Sequence, residues 1–124
     1  MTKIYVIRHA EAEGNIYRRI HGQYNSKLTR NGYRQIAALE RRFADIPIDA
    51  VYASDLFRTC ETAKALYVPK GLPLHPDPRF RETNVGRWED TPFGQLDVFE
   101  AEQMYYFTHD PAKWRVPGGS TASL

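Results

Sequence analysis

Residues 4–15 read I-Y-V-I-R-H-A-E-A-E-G-N, so a short apolar run leads directly into an arginine and a histidine. The run at 4–7 is rich in β-branched side chains and lacks alternating polar ones, which is typical of a strand buried on both faces of a sheet. In open α/β sheets, ligands bind beyond the carboxyl ends of such strands. We therefore expect Arg8 and His9 to lie at a ligand-binding edge of the sheet.

The chemistry of this pair favours an anionic electrophile as its ligand. A neutral imidazole can act as a nucleophile, and the ordinary pKa of histidine is about 6.5. Arginine stays charged at any useful pH, and its planar fork matches phosphate or carboxylate oxygens. The segment is equally compatible with a buried His9 satisfied by backbone groups and a surface Arg8 in a salt bridge, so both interpretations stay open here.

Length, charge and cysteine content narrow the class of protein. The chain has 124 residues, which predicts a single domain over 1–124 with one core. Its net charge is +2 and the basic residues are scattered among acidic ones, so we expect no nucleic-acid or membrane surface. The single cysteine excludes an internal disulfide and a thiolate zinc site. Without a signal sequence or an apolar stretch near the ~20 residues that span a bilayer, a cytoplasmic protein is expected.

Strands and helices alternate along the predicted layout. The predicted elements are a loop at 10–28, a helix at 30–43, a strand at 50–53, a helix from 55 through 66 and a strand at 73–76. Thr29 and Ser54 are side chains that can cap the two helices. This βαβ pattern requires right-handed crossovers and a largely parallel sheet, so the fold class is α/β.

The remainder of the chain has a weaker pattern. We predict a loop at 79–88, a helix within 91–107 that Asp110 and Pro111 end, and a turn at 117–119. In the first helix, Ile36, Leu39 and Phe43 form a core-facing stripe. Cys60 lies on the apolar face of the second helix and is interpreted as a core residue.

Arg58 is a candidate anion-binding residue because of its position in the first turn of the second helix. The helix macrodipole disfavours a cation there, whereas an anion at the same terminus would attract both the backbone N–H groups and the guanidinium. The alternative is a solvated arginine paired with Asp55 or Glu61.

Glu82 is a candidate proton donor, since it follows the third strand in a loop that projects from the sheet. Nearby arginines would hold its carboxylate ionised, so a bound phosphate or burial against Trp88 would have to offset them. A salt bridge to Arg79 or Arg81 is the alternative.

No metal and no nucleotide cofactor is expected. His9, Glu11 and Glu13 could share one face of an extended segment, but the adjacent Arg8 makes a bound cation costly. The sequence has neither a G-x-x-x-x-G-K-[ST] loop nor a G-x-G-x-x-G motif.

Four ordered motifs resemble those of the histidine phosphatase superfamily, the phosphoglycerate mutase-like enzymes. Residues 8–15 are similar to R-H-G/A-E-x-x-x-N, and 28–35 to L-T-x-x-G-x-x-Q. Residues 52–63 are similar to S-S-D-L-x-R-A-x-x-T-A, and 80–89 to L-x-E-x-x-x-G-x-W-E. The resemblance implies a three-layer sandwich with a mostly parallel central sheet.

The resemblance also implies roles for individual residues. His9 would become transiently phosphorylated, while Arg8, Asn15 and Arg58 would bind the phosphoryl oxygens. Glu82 would protonate the leaving group and then activate water or an acceptor. Phosphoryl transfer of this kind needs positioning and charge neutralisation above all, and the arginines supply the charge without a cofactor.

The sequence departs from the family pattern at several positions. Asn25 and Lys27 stand where Asp and Pro are usual, and Asp90 stands where Gly usually follows W-E. The turn P-G-G-S-T at 117–121 lacks the family's Glu. A second active-site histidine is expected some tens of residues past this turn, beyond Leu124, so the fold is interpreted as truncated at its C-terminus.

Two functions follow from this comparison. The first is hydrolysis, or mutase transfer, of the phosphate of a small phosphorylated metabolite, with phosphate or vanadate as site ligands; hydrolysis is favoured because no insertion fits a bound bisphosphate. The alternative is a catalytically weak or inactive phospho-ligand-binding fragment.

The interpreted truncation predicts association between copies of the chain. An unpaired edge of a parallel sheet presents free N–H and C=O groups to another chain. We therefore expect a homodimer or poor solubility, and a monodisperse monomer in light scattering would contradict this.

Overall fold

The structure, a computed structural model, describes residues 1–120 of the chain. Its helices are α1 (Glu13–Ile16), α2 (Arg30–Phe43), α3 (Phe57–Tyr67), α4 (Phe93–Phe99) and α5 (Ala101–His109). Its strands are β1 (Arg19–Ile20), β2 (Val51–Ala53), β3 (Leu74–Pro76) and β4 (Thr91–Pro92). Short 3-10 turns lie at Pro78–Phe80, Gly86–Trp88 and Pro111–Lys113. The α/β class is confirmed.

The strands form two small sheets within residues 1–120. β2 and β3 pair in parallel, with Val51 opposite Leu74, and α3 is the crossover between them. β1 and β4 pair antiparallel. The predicted βαβ unit is therefore present, while the three-layer sandwich with a larger parallel sheet stays an expectation.

The first predicted strand is wrong, because residues 1–10 adopt no regular secondary structure. Ile4 and Val6 are 79% and 93% exposed, whereas Ile7 packs on the core beside β2 and the ring of Tyr5 meets Phe43 edge-on at 5.3 Å. A strand needs a neighbouring backbone as well as apolar side chains. Within the described residues, no strand pairs with this segment.

The helix α2 is confirmed with its predicted cap. Thr29 Oγ1 accepts a hydrogen bond from the Gly32 N–H at 3.0 Å, which satisfies one of the free donors of the first turn. Phe43 is buried, and Leu39 and Ile36 are partly buried against core residues, so the predicted apolar stripe also holds.

The start of α3 differs from the prediction. Ser54 does not cap the helix; its hydroxyl instead forms a hydrogen bond with Thr59 Oγ1 at 2.6 Å, and Leu56 occupies the cap position. Cys60 is half-buried and outside the buried clusters; its thiol donates to the Ser54 carbonyl at 3.3 Å. Burial raises the pKa of that thiol, which disfavours the reactive thiolate.

The core cluster with the most buried residues, here called the large core, comes mainly from the second half of the chain, where the sequence pattern is weak. Its buried members are Ile20, Val85, Trp88, Leu96, Trp114 and Val116. The single predicted helix within 91–107 is two helices that meet at Glu100, and Asp110 ends α5 as predicted.

The turn at 117–119 is also present. It packs closely on Gly86, which has φ +58°, because an added Cβ there would lie 2.2 Å from the Pro117 carbonyl oxygen. Thr121, the last residue of the P-G-G-S-T motif, lies outside the described residues.

The predicted loop at 10–28 contains α1 and β1. Both elements are too short to leave a periodic signal, and β1 exists through its pairing with β4. Among the described helices, none has the length and apolar character needed to cross a bilayer.

The cap of α2 generates a stability prediction. Replacing Thr29 with alanine removes the acceptor for Gly32 and the hydroxyl that donates to Glu11 Oε1 at 2.6 Å. We expect a loss of about 1 kcal/mol in unfolding free energy, measured by urea denaturation followed by circular dichroism. Thr29→Ser keeps the hydroxyl and is the control; a Thr29→Ala protein as stable as Thr29→Ser would contradict the capping role.

Candidate active site

The segment that carries Arg8 and His9 is anchored to α3 by one hydroxyl group. The buried Ala10 N–H donates to Thr62 Oγ1 at 2.9 Å, and the same hydroxyl donates to the Arg58 carbonyl at 2.7 Å. Thr62 lies one helical turn after Arg58, so it can reach that carbonyl without distorting the helix. His9 and Arg58 are therefore tied to a common point.

The imidazole of His9 is oriented by its own segment. His9 Nδ1 lies 2.7 Å from the Ala10 carbonyl oxygen. Because a carbonyl oxygen can only accept, Nδ1 must carry the hydrogen. In the neutral ring, the lone pair is then on Nε2, the nitrogen available to attack an electrophile.

The surroundings of His9 favour this neutral form. Partial burial lowers the pKa of His9 below its ordinary value, and the positive charges of Arg58 and Arg8 lower it further. The hydrogen bond to Ala10 and the negative charge of Glu82 oppose these effects without cancelling them. The ring therefore remains unprotonated at neutral pH, as a nucleophile requires.

Arg58 is buried, and its guanidinium faces the loop at 22–24. Its side chain donates from Nη2 to the Gly22 carbonyl and from Nη1 to the Tyr24 carbonyl, both at 2.6 Å, and the residue is 4% exposed. The alternative of a solvated arginine is therefore wrong. Its suggested partners are engaged elsewhere, since Asp55 pairs with Arg81 and Glu61 with Lys64.

Glu89 holds the same loop from the other side. Its carboxylate accepts hydrogen bonds from four backbone N–H groups, those of Gly22 at 3.1 Å, Gln23 at 2.8 Å, Tyr24 at 3.0 Å and Val85 at 3.1 Å. Sequence reasoning included Glu89 in a motif but assigned it no role. The signal in the sequence was its place after Trp88 in the motif, because all four donors are backbone groups and three of them are at least 65 residues away.

Glu82 is exposed and free of the salt bridges suggested from sequence. One carboxylate oxygen accepts the Thr83 N–H at 2.9 Å. Arg79 pairs with Asp77, and Arg81 pairs with Asp55, so neither arginine holds Glu82. Trp88 is buried in the large core whereas Glu82 is exposed, so the Glu82 carboxyl group is not buried against that ring.

Arg8 and Asn15 differ in how they are held. Arg8 is exposed and makes no hydrogen bond or ion pair with any of residues 1–120. Asn15 Oδ1 accepts the Ala12 N–H at 2.8 Å and so closes the first turn of α1. The charges of Arg8, Arg58 and Glu82 all act on His9, whereas the side-chain hydrogen bond of Asn15 within residues 1–120 is to Ala12.

A cleft of about 420 Å³ adjoins this cluster through Tyr24. It is lined by Glu13, Tyr17, Arg19, His21, Tyr24 and Asp90. Asp90 has φ +56°, the left-handed region that favours glycine, and its carboxylate accepts from Arg19 Nε at 2.7 Å and His21 Nε2 at 2.9 Å. These two bonds offset the backbone strain at the position where glycine was expected, and they lower the pKa of Asp90.

The described residues contain no group of three or more His, Cys, Asp or Glu side chains placed to hold a metal ion. The prediction of a metal-free site was made from sequence and stays a prediction.

Comparison with known proteins finds one matching family model, together with relatives and solved structures that align over most of this chain. A sequence model described as the histidine phosphatase superfamily (branch 1) matches residues 4–123. A Yersinia pestis protein named "Probable phosphoglycerate mutase GpmB" is 36% identical over 121 residues, which cover 98% of this chain. The crystal structure of the alpha-ribazole phosphatase from Shigella flexneri aligns with a TM-score of 0.81 and 28% identity over 93% of this chain.

A mycobacterial glucosyl-3-phosphoglycerate phosphatase, solved in complex with VO3, aligns with a TM-score of 0.76 and 28% identity over 91% of this chain. The alignments cover 56% of the Yersinia protein, 57% of the Shigella enzyme and 56% of the mycobacterial enzyme. This chain therefore spans just over half the length of the proteins it matches.

The electrostatics of the site predict a low pKa for His9. The Cε1 proton resonance of His9, followed by NMR from pH 4 to 8, should titrate below the ordinary value of about 6.5. Arg58→Ala should raise this pKa, because it removes a positive charge and admits water to the ring. A wild-type midpoint at or above 6.5 would contradict the prediction.

The same shift has a consequence for stability. The unfolded chain binds a proton at His9 before the folded chain does as the pH falls through 6.5. His9 therefore destabilises the fold progressively below that pH, and its contribution levels off once the folded state is also protonated.

Proposed function

Because this chain belongs to the histidine phosphatase superfamily, we propose that it acts on phosphomonoesters through a phosphohistidine formed at His9. The observation that carries the proposal is the state of His9: a neutral ring whose Nδ1 hydrogen is held by the Ala10 carbonyl, leaving the Nε2 lone pair free. The nucleophile and the positive charges of Arg8 and Arg58 then belong to one site, as the transfer of an anionic group requires.

The first step forms one bond and breaks another. His9 Nε2 donates its lone pair to phosphorus as the bond from phosphorus to the ester oxygen breaks. Glu82, in its protonated form, gives its hydrogen to the departing oxygen.

The second step regenerates the site. The Glu82 carboxylate removes a proton from water, and the water oxygen attacks phosphorus while the bond to Nε2 breaks. The electron pair returns to the imidazole, and inorganic phosphate leaves. An acceptor hydroxyl in place of water would give mutase transfer, and we propose hydrolysis as the main reaction.

Arg8, Arg58 and Asn15 are proposed to bind the phosphoryl oxygens. A guanidinium has five N–H groups, and Arg58 uses two of them on the 22–24 loop. Arg8 is exposed beside His9, and the Asn15 side-chain amide has donors remaining after its oxygen accepts from Ala12. These groups would stabilise the transferring phosphoryl group without a cofactor.

The proposed substrate is a small phosphorylated metabolite whose organic part enters the cleft beside Tyr24. The similar proteins are named for phosphoglycerate, alpha-ribazole and glucosyl-3-phosphoglycerate, so they support this class and no single compound. The VO3 and inorganic phosphate complexes of the mycobacterial enzyme support phosphate and vanadate as ligands.

A second candidate is a catalytically weak or inactive phospho-ligand-binding fragment. It is favoured by the positions of the other three histidines, none of which is among the groups that shift the pKa of His9. His21 binds Asp90, His75 stacks on Tyr52 and His109 stacks on Tyr105. A site short of one phosphate donor typically loses 10²- to 10³-fold in rate.

The finer features of the fold are proposals as well. A single domain over 1–124, with a three-layer sandwich around a mostly parallel sheet, is supported by the parallel β2–β3 pair and the aligned structures. A cytoplasmic location and a homodimer remain expectations from the sequence.

Hydrolysis of p-nitrophenyl phosphate tests the proposed function. We expect wild-type protein to release p-nitrophenol at mildly acidic to neutral pH and His9→Ala to lose at least about 100-fold in rate, since the nucleophile is removed. His75→Ala, which alters an exposed histidine on β3, is the control. Turnover that persists in His9→Ala would contradict the phosphohistidine.

Two further arms separate the alternatives. Glu82→Gln should lose more rate on an alkyl phosphate than on p-nitrophenyl phosphate, whose leaving group needs little protonation. Wild-type protein that binds phosphate in calorimetry without turnover would support the binding fragment, and wild-type protein that does neither would remove both candidates.

A further inference from the structure

We propose that Glu89 is a positioning residue that fixes the Arg58 guanidinium for phosphate through the backbone of residues 22–24. The inference rests on the proposed function, because it concerns the same phosphate site. It adds a residue to which the motifs and the comparisons assign no task.

The loop is bound on both sides by opposite charges. Gly22 and Tyr24 each donate their N–H to the Glu89 carboxylate and offer their C=O to Arg58. The order across the loop is carboxylate, peptide groups, guanidinium. The Gly22 C=O and the Gln23 N–H belong to one peptide group, which accepts from Arg58 on one side and donates to Glu89 on the other. The carboxylate therefore polarises this group and strengthens the Gly22 carbonyl as an acceptor.

The geometry leaves the loop little freedom. A Cβ added to the buried Gly22 would lie 1.9 Å from the Thr83 carbonyl oxygen and 2.8 Å from Glu89 Oε1. The loop therefore lies in close contact with the 82–89 segment. Val85 donates to the same carboxylate, which links the loop to the segment that carries Glu82.

The charge of Glu89 also compensates a buried cation. Burial lowers the pKa of Arg58, and the negative charges of Glu89 and Glu82 oppose that effect. Glu89 makes no ion pair within residues 1–120, so its charge is balanced by the four N–H groups and by Arg58 across the loop. Removing the carboxylate would leave four donors competing for fewer acceptors and a guanidinium with weaker partners.

A simpler role must be distinguished from this one. Glu89 could fasten the loop to the 82–89 segment and so maintain the whole site, without acting through Arg58. In that case its loss would weaken phosphate binding by the same factor whether or not Arg58 is present. A positioning role requires that the effect on binding disappear when Arg58 is absent.

The test is a double-mutant cycle on the full chain, with inorganic phosphate as the probe in isothermal titration calorimetry. We expect Glu89→Gln to raise the phosphate Kd about tenfold, within the coupling range for groups in one network. Glu89→Asp retains the charge but shortens the side chain, so it should weaken binding as well. Glu89→Gln combined with Arg58→Ala should bind no more weakly than Arg58→Ala alone.

The control is Glu100→Gln, which removes a carboxylate that pairs with Arg87 and accepts no hydrogen bond from the 22–24 loop among the described residues. It should leave the phosphate Kd unchanged. Folded Glu89→Gln with wild-type affinity, or an undiminished effect of Glu89→Gln in the Arg58→Ala protein, would overturn the inference. Wild-type protein that binds no phosphate would instead refute the proposed function, and the inference with it.

A measurement on the wild-type protein tests the inference even where the variants do not fold. Phosphate bound to Arg58 should slow hydrogen exchange at the amides of Gly22, Gln23 and Tyr24, because the guanidinium and these amides belong to one network. Amides in the middle of α2 serve as the reference. Binding of phosphate without any change at the three loop amides would overturn the inference.

Discussion

Two opposite charges bind the backbone of residues 22–24 from opposite sides, and the candidate active site depends on this arrangement. The Glu89 carboxylate accepts the loop N–H groups, and Arg58 donates to the Gly22 and Tyr24 carbonyls. A buried guanidinium needs partners of this quality because desolvation of an unpaired charge costs several kcal/mol. The loop thereby holds Arg58 in place through two of its five N–H groups, and the others are those proposed to bind phosphate. The cleft lies beside Arg58 because Tyr24, whose carbonyl accepts from the guanidinium, also lines the cleft.

A second connection links the nucleophile to the same helix. Thr62 bonds both the Ala10 N–H and the Arg58 carbonyl, so the segment after His9 and the first turn of α3 share one hydroxyl group. The resulting proximity of charges lowers the pKa of His9, and partial burial lowers it more. The position and the protonation state of His9 therefore depend on the same residue, since Arg58, which is proposed to bind phosphate, also favours the neutral imidazole.

Local signals predicted some elements well and others poorly. The helix α2 has a cap at Thr29 and an apolar stripe through Phe43, both properties of neighbouring residues, and the structure agrees. The strand predicted at 4–7 is absent because a strand depends on a partner that the segment itself cannot supply. The large core around Trp88 and Trp114 was not foreseen, since its residues come from short elements without periodicity.

The sequence by itself determined the α/β class, the family and the identity of the candidate residues. Motif spacing and capping are local, and the pairing of a histidine with arginines carries chemistry in the residue types alone. Only the tertiary structure decided that Arg58 faces the 22–24 loop, that Glu89 holds this loop, and that Asp90 binds Arg19 and His21. The physical reason is that these interactions join backbone groups and side chains distant in sequence, whose meeting depends on how the helices and loops pack.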